Sequence, residues 1–153
     1  MLRRNTFRAF ALALTLTTVS LNVCAYPDDD ADIDIPTLQS AAEKGDAEAQ
    51  FALGSAYQMG EGVPQNDMKG VYWMKKSANQ GNLDAQFNLG MAYRGGYGVP
   101  RDPVTAYMWL ELAVNGGSVK AFDLRRDLSM DMPLEQIEEA RYKAKRWKPE
   151  EDE

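Results

Sequence analysis

The amino-acid sequence predicts an all-α protein, a short solenoid of helix-turn-helix units. The main observation is that the sequence repeats itself at an interval of 36 residues. Residues 49–57 return at 85–93, the glycine-rich turn at 60–64 returns at 96–100, and Trp73 returns as Trp109. A constant period of this length is typical of solenoids, in which each unit buries its apolar face against its neighbours. No segment of the repeats requires a strand.

Glycines and capping residues set the expected helix ends. Pro36 suits the first turn of a helix, and Gly45 suits the position just after its end. Asn66 is expected to cap one later helix, and Asp102 followed by Pro103 is expected to begin another. The predicted helices are 37–44, 47–59, 67–80, 83–94, 103–115, 119–128 and 133–147.

The two ends of the repeat region differ from its middle. Residues 26–35 contain five aspartates, which predicts an acidic, disordered linker. Ile35 and Ala41 stand where a calcium loop starting at Asp30 would need Gly and Glu, so no metal site is expected. The last helix has one apolar face, which predicts a cap on the solenoid before an acidic tail at 149–153. That face comprises Leu134, Ile137, Ala140, Ala144 and Trp147.

Residues 1–25 predict a secretory signal peptide. Three arginines precede the uncharged, mainly apolar segment 9–23, and small residues at its end place cleavage between Ala25 and Tyr26. One alternative is a membrane anchor, but the apolar run is short and rich in Thr. A second alternative is lipid attachment at Cys24, which the preceding Asn and Val do not favour. We therefore expect export to the periplasm.

Charge and composition exclude several functions. All 23 acidic residues but only 14 of the 17 basic residues follow residue 25, so the net charge of −6 becomes −9 after cleavage. This charge does not favour nucleic acid or an anionic membrane as partner, whereas a basic protein is compatible. Residues 26–153 also lack Cys and His, which excludes disulfides, thiol nucleophiles, Ser-His-Asp triads and the usual zinc sites. No cofactor is expected.

The repeated residues resemble the Sel-1-like repeat, a relative of the tetratricopeptide repeat with a longer loop between its helices. The shared pattern is Ala-x-x-x-Leu-Gly-x-x-Tyr, then Gly-x-Gly-Val-Pro, a capping Asn or Asp, Trp, Ala and Gly. Full copies occupy 47–82 and 83–118 of a repeat domain at 36–148, with partial copies on either side. The resemblance implies a right-handed α-solenoid. Arg125-Arg126 replaces Leu-Gly in the third copy, which predicts that the array ends there.

The resemblance also implies a function. Proteins of this family act as adaptors in protein complexes, and exported bacterial members resemble regulators, envelope scaffolds and immunity proteins. We therefore expect a non-enzymatic, monomeric protein-binding module, with an immunity protein against a secreted toxin as the alternative. A third hypothesis is a cell-wall hydrolase that uses only carboxylates, such as Glu61 and Asp84. Glu61 has no second acid predictably placed across a cleft, which does not favour that hypothesis.

The partner is expected to bind the first helix of each unit, which lines the concave side in tetratricopeptide arrays. This set of residues mixes apolar and acidic side chains, as suits a protein-binding surface. The alternative is that Phe51 and Phe87 belong to the core and that the others are ordinary surface residues. The expected binding residues are Glu48, Phe51, Ser55, Gln58, Asp84, Phe87, Met91, Arg94, Lys120, Asp123 and Asp127. The repeat-defining residues expected in the core are Leu53, Ala56, Tyr57, Trp73, Leu89, Ala92, Tyr93 and Trp109.

Overall fold

Seven α-helices and no strands make up residues 34–148, the part of the chain that this computed structural model describes. The helices are α1 (Ile35–Glu43), α2 (Ala47–Met59), α3 (Asp67–Asn79), α4 (Leu83–Gly95), α5 (Pro103–Asn115), α6 (Val119–Met130) and α7 (Leu134–Arg146). The predicted signal peptide, residues 26–33 of the predicted linker and the acidic tail lie outside the described residues. Within 34–148, no helix is both long enough and apolar enough to cross a membrane.

The helices stack in chain order. α2 packs against α3 and α4 against α5, which forms the two full hairpins, and α3 packs against α4 to join them. α1 covers the free side of α2. The predicted all-α solenoid is therefore confirmed, because each unit buries its apolar face against the next.

Several helix ends differ from the predictions by one or two residues. α1 begins at Ile35 rather than Thr37, because the N–H of Leu38 donates to the carbonyl O of Asp34 at 2.9 Å and Pro36 is tolerated in the first turn. Placing Ile35 in a disordered linker was therefore wrong. α6 continues to Met130, two residues beyond its predicted end. α7 spans 134–146, so the predicted ends at 133 and 147 are its flanking residues.

Side-chain caps begin five of the seven helices. Oδ1 of Asn66 accepts from the N–H of Lys69 at 3.0 Å, and Oδ1 of Asp102 accepts from Thr105 at 3.1 Å, as their sequence positions predicted. The other three caps follow the same geometry in α2, α4 and α6, and they satisfy N–H groups that have no partner inside the helix. Those caps are Asp46, Asn82 and Ser118.

The core holds most of the repeat-defining residues. Leu53, Ala56, Leu89, Ala92 and Trp109 are buried, as predicted. The remaining three are half-buried and pack against the core from its edge; they are Tyr57, Trp73 and Tyr93. The larger buried side chains that the repeat pattern did not single out come from the second helices, namely Met74, Tyr107 and Leu110.

Glycines let α2 and α3 come into close contact. A Cβ on Gly54 would lie 2.8 Å from Cγ of Met74 and 3.0 Å from the carbonyl O of Gly70. A Cβ on Gly70 would in turn lie 2.6 Å from Cγ of Gln58. The predicted packing reason for the mid-helix glycine at 54 is thus a close approach of backbones. Its equivalent, Gly90, leaves room for a side chain instead, that of Leu110.

A buried glutamine ties each first helix to the helix before it. Gln50 donates from Nε2 to the carbonyl O of Ala42 at 3.0 Å, and its Oε1 accepts from Nε2 of Gln80 at 2.8 Å. Gln86, its equivalent in the second unit, donates to the carbonyl O of Ala78 at 3.1 Å. The same two carbonyl groups also accept from the N–H of Gly45 and of Gly81, so each glutamine adds a second hydrogen bond at the end of α1 or α3.

Only one of the two polar atoms of the Gln86 amide has a hydrogen-bond partner. Oε1 of Gln86 is buried and has no hydrogen-bond partner among residues 34–148. Gly116 stands where the first unit has Gln80, and any side chain there would overlap Leu83. An apolar contact has therefore replaced a polar one, which leaves a buried acceptor without a donor at a cost of about 1–3 kcal/mol.

The third unit is not a regular hairpin. Only residues 131–133 connect α6 to α7, whereas the glycine-rich turn and its cap at 60–66 connect α2 to α3. Both α6 and α7 pack against α5. Arg125 occupies the position of the core residue Leu89, and its guanidinium pairs with the carboxylate of Glu111 and lies 5.9 Å from the ring centre of Tyr107. The array therefore changes its packing at the predicted arginines.

α7 covers α5 as the predicted cap. Ala140 and Ala144 are buried, and the ring of Trp147 packs edge-on against Trp109 with centroids 5.9 Å apart. Ile137 is half-buried against the same core. Leu134 does not contribute to the predicted apolar face, because it lies at the start of the helix with 68% of its surface exposed.

We predict that Gly54→Ala lowers the free energy of unfolding by about 1–3 kcal/mol, because the new Cβ would collide with α3. Helix propensity alone predicts the opposite, a gain of about 1 kcal/mol. Urea unfolding of the purified protein measures the difference. Ala52→Gly, at an exposed position of the same helix, is the control that reports the propensity effect alone. A more stable Gly54→Ala protein would contradict the close approach.

We predict that the stability contributed by Asp102 depends on pH. Partial burial raises the pKa of its carboxyl, but hydrogen bonds from Thr105 and Val104 and the positive charge of Lys143 outweigh burial, so the pKa lies below its ordinary value. A lowered pKa stabilises the fold above the unfolded-state pKa of about 3.9, and this contribution is lost as pH falls through the folded-state pKa. Asp102→Ala should therefore cost about 0.5–2 kcal/mol at pH 7 and less below about pH 4.

The matched control is Asn66→Ala, because Asn66 caps α3 in the equivalent way and has no carboxyl group. Its cost should be similar at pH 7 and constant with pH. Urea unfolding at intervals between pH 3 and pH 7 measures both costs. Equal pH profiles for the two variants would show that the Asp102 carboxylate does not contribute as described.

Candidate protein-binding surface

The predicted binding residues lie along the first helices of the three units. Most of them are exposed. The exposed ones are Glu48, Asp84, Met91, Arg94, Lys120, Asp123 and Asp127, and the half-buried ones are Phe51, Ser55, Gln58 and Phe87. Partner binding by these residues stays a prediction.

The two phenylalanines have a clear structural role. Phe51 packs against the cluster that contains Val71 and Leu89, and Phe87 packs against the cluster that contains Tyr107. The first cluster contains residues of both full units, and the second also contains Ala121 and Leu128 of α6, so each ring packs on a core that spans two units. This packing favours the alternative reading for these two positions, in which they belong to the core.

The acidic residues of the same surface already have partners within the chain. Asp84 lies 3.9 Å from Nζ of Lys120, and Asp123 and Asp127 each lie 3.2 Å from a nitrogen of Arg126. These ion pairs are exposed, so each contributes little to stability and can exchange for a partner's charge. The surface therefore presents alternating charges, and a basic partner is not its only electrostatic match.

A hollow of about 290 Å³ lies between the two full units, and we call it the Tyr97 hollow. Three predicted elements meet there: the end of α2, the start of α3 and the middle of α4. The lining residues are Gln58, Gln65, Asp67, Asn88, Met91, Ala92 and Tyr97. The structure thus brings together Gln58 and Met91, two of the predicted binding residues, across the interface of the units.

Tyr97 and Met91 form an exposed apolar ridge beside this hollow. Tyr97 is 60% exposed and Met91 is 41% exposed. A second hollow of about 300 Å³ lies on the other side of the ridge and is lined by Met91, Arg94, Gly95 and Tyr97. The ring of Tyr97 lies over the backbone of Gly95, where any side chain would overlap it. Because Gly95 has no side chain, the ring of Tyr97 has room to lie between the two hollows.

Tyr97 is not among the binding residues expected from the sequence. The sequence pattern identifies residues 96–100 only as the repeat of the glycine-rich turn at 60–64. The available signal was a pair of differences between the two units: Glu61 becomes Tyr97, and Met59 becomes Gly95. Because the second difference makes room for the ring of the first, the pair indicates a specialised turn in the second unit.

The arrangement suits binding of a polypeptide. An apolar ridge with hollows on either side can receive an apolar side chain, and the amides of Gln58, Gln65 and Asn88 can both donate to and accept from a peptide backbone. Glu61 is exposed in its turn, Asp84 is exposed on α4, and neither lines either hollow. Residues 34–148 contain no group of three potential metal ligands.

Stacked helical hairpins with a surface of this kind define an α-solenoid repeat protein. The Sel1 repeat family matches the chain twice, at residues 47–82 and 83–118, the two full units of the structure. The chain therefore belongs to the Sel1-like repeat family, whose repeats generally serve as protein-interaction modules. No curated protein matches the chain.

Two solved structures have similar repeats. A protective antigen of uropathogenic Escherichia coli with an SLR fold aligns with a TM-score of 0.68 and 33% identity over 70% of this chain and 23% of its own. A Sel1 repeat protein from Oxalobacter formigenes aligns with a TM-score of 0.59 and 42% identity over 60% of this chain and 26% of its own. The alignments thus span about a quarter of each of these proteins.

Proposed function

We propose that this protein is an exported adaptor of the bacterial cell envelope that binds a partner protein without catalysing a reaction. The observation that supports this most directly is the exposed ridge of Met91 and Tyr97 between two hollows, on the surface formed by the first helices. The predicted signal peptide supports the location, and the Sel1 repeats support protein binding as the activity.

The proposed partner segment is an extended peptide with one large apolar side chain. That side chain would contact Met91 and Tyr97, since buried aromatic contacts dominate the free energy of many protein interfaces. The neighbouring amides would bind the peptide backbone, and Arg94 and Asp67 on opposite sides of the ridge would set its direction. The stacked helices hold these groups in place before binding, which reduces the entropy lost on association.

We predict that Tyr97→Ala weakens partner binding at least tenfold, which corresponds to about 1.4 kcal/mol or more. The fold should be unaffected, because the ring lies on the surface. The partner is first captured from periplasmic extract with the immobilised mature chain. The dissociation constant of the purified pair is then measured by calorimetry for both proteins.

Tyr72→Ala is the matched control, because Tyr72 is exposed to a similar extent on α3 and lines neither hollow. It should bind the partner as tightly as the unaltered protein. Equal dissociation constants for Tyr97→Ala and the unaltered protein would refute the proposed surface. Failure to capture the same partner in repeated experiments would refute the adaptor function itself.

We predict that the protein purified from the periplasm begins at Tyr26, because signal peptidase reads the small residues that precede this bond. N-terminal sequencing and intact mass measure the site. Ala25→Arg should leave the precursor uncleaved and attached to the membrane fraction. A mature protein that begins with an acylated Cys24 would support the lipid-anchored alternative, and a protein that retains Met1 would contradict export through this signal.

A further inference from the structure

Besides the two hollows of the binding surface, the structure has a further depression among the second helices, away from the Tyr97 hollow. We call it the second cleft. It has a volume of about 240 Å³ and is lined by α3, α4, α5 and the two residues that follow α7. Its walls are aromatic, from Tyr93, Trp109 and Trp147, and a lysine stands at either side, Lys75 from α3 and Lys148 after α7. None of its lining residues belongs to either hollow of the binding surface.

The cleft is suited to an anionic segment. Two lysines and no carboxylate line it, although the chain as a whole has a net charge of −6. The hydroxyl of Thr105, which also lines the cleft, already donates to Oδ2 of Asp102 at 2.6 Å. The two lysines supply positive charge for an occupant's carboxylates, while the rings provide apolar contact for its stem.

The chain itself leaves α7 at this cleft. Trp147 ends the helix with an extended backbone, at φ −59° and ψ 135°, and its ring is fixed against Trp109. Pro149 restricts the preceding Lys148 to extended conformations as well. The next four residues are all acidic, Glu150, Glu151, Asp152 and Glu153. Extended residues advance about 3.3–3.6 Å each, so Glu150 follows Trp147 by at most about 11 Å of backbone.

We propose that the acidic segment 150–153 of this chain binds in the cleft, with its carboxylates paired to Lys75 and Lys148. The segment would then act as a strap that connects the end of the capping helix to α3. Exposed ion pairs are individually weak, so a free acidic peptide would bind poorly. A segment joined directly to the cleft has an effective concentration in the millimolar range or above, which favours it over a separate partner.

The test compares the full chain with a variant in which the segment is uncharged: Glu150→Gln, Glu151→Gln, Asp152→Asn and Glu153→Gln. The indole N–H signals of the three tryptophans are followed by NMR. Neutralisation should shift the signals of Trp109 and Trp147, which line the cleft, and leave that of Trp73 in place. Lys75→Ala should shift the same two signals, whereas Lys44→Ala, an equal charge change at the end of α1, should not.

A double-mutant cycle separates docking from a general effect of charge. If the segment pairs with Lys75, neutralising the segment in the Lys75→Ala background should produce at most half of the shift seen in the unaltered background. A synthetic peptide of sequence Lys-Pro-Glu-Glu-Asp-Glu is then titrated into both chains. The neutralised chain should bind it with a dissociation constant on the order of millimolar, and the unaltered chain should bind it several-fold more weakly because its own segment competes.

Each other outcome overturns the proposal. Equal peptide binding by both chains, with no effect of neutralisation, would show that the cleft receives an acidic segment of a partner instead. No response of Trp109 and Trp147 to any of these changes would show that the cleft binds no acidic segment. The proposal does not rest on the Tyr97 surface, because Tyr97→Ala should leave all of these tryptophan signals unchanged.

Discussion

The close approach of the two helices within a hairpin determines the rest of this structure. Between α2 and α3 the contact is made through glycine backbones at 54 and 70, and between α4 and α5 a single glycine, Gly90, receives Leu110. Helices that pack this closely form a thin unit with little core of its own. Each unit must therefore bury its remaining apolar face against the next, and Phe51 and Phe87 accordingly pack on clusters that contain residues of two units.

The two full units share this architecture but differ in paired positions. Gly116 replaces Gln80 where Leu83 replaces Ala47, and Gly95 replaces Met59 where Tyr97 replaces Glu61. In each pair a lost side chain makes room for a larger one from a neighbouring element. The first exchange leaves Oε1 of Gln86 buried without a donor, and the second places a ring on the surface. Stability is thus reduced at one position, and an exposed aromatic group is gained at the other.

The sequence predicted the structural features that depend on the repeat period. It did not predict the features that depend on single side chains. Helix number, the two hairpins and the caps at Asn66 and Asp102 follow from spacing and local chemistry, so they could be predicted. The role of Leu134 could not, since the face that α7 buries depends on the three-residue turn before it. The Tyr97 hollow could not be predicted either, because its lining comes from α2, α3, α4 and their loops, and no single-helix pattern contains it.

The positions that depart from the repeat are also the ones that supply chemistry to the surface. Most residues that obey the repeat are buried by stacking and have few atoms left for a partner, although Tyr93 and Trp109 also line the second cleft. Tyr97, the Arg125–Glu111 pair and Trp147 with Lys148 have no counterparts in the first unit, and they lie at the ridge, at the third unit and at the second cleft. A solenoid gains specificity in this way: the shared residues fix the spacing of the helices, and the exceptions determine what that fixed surface can bind.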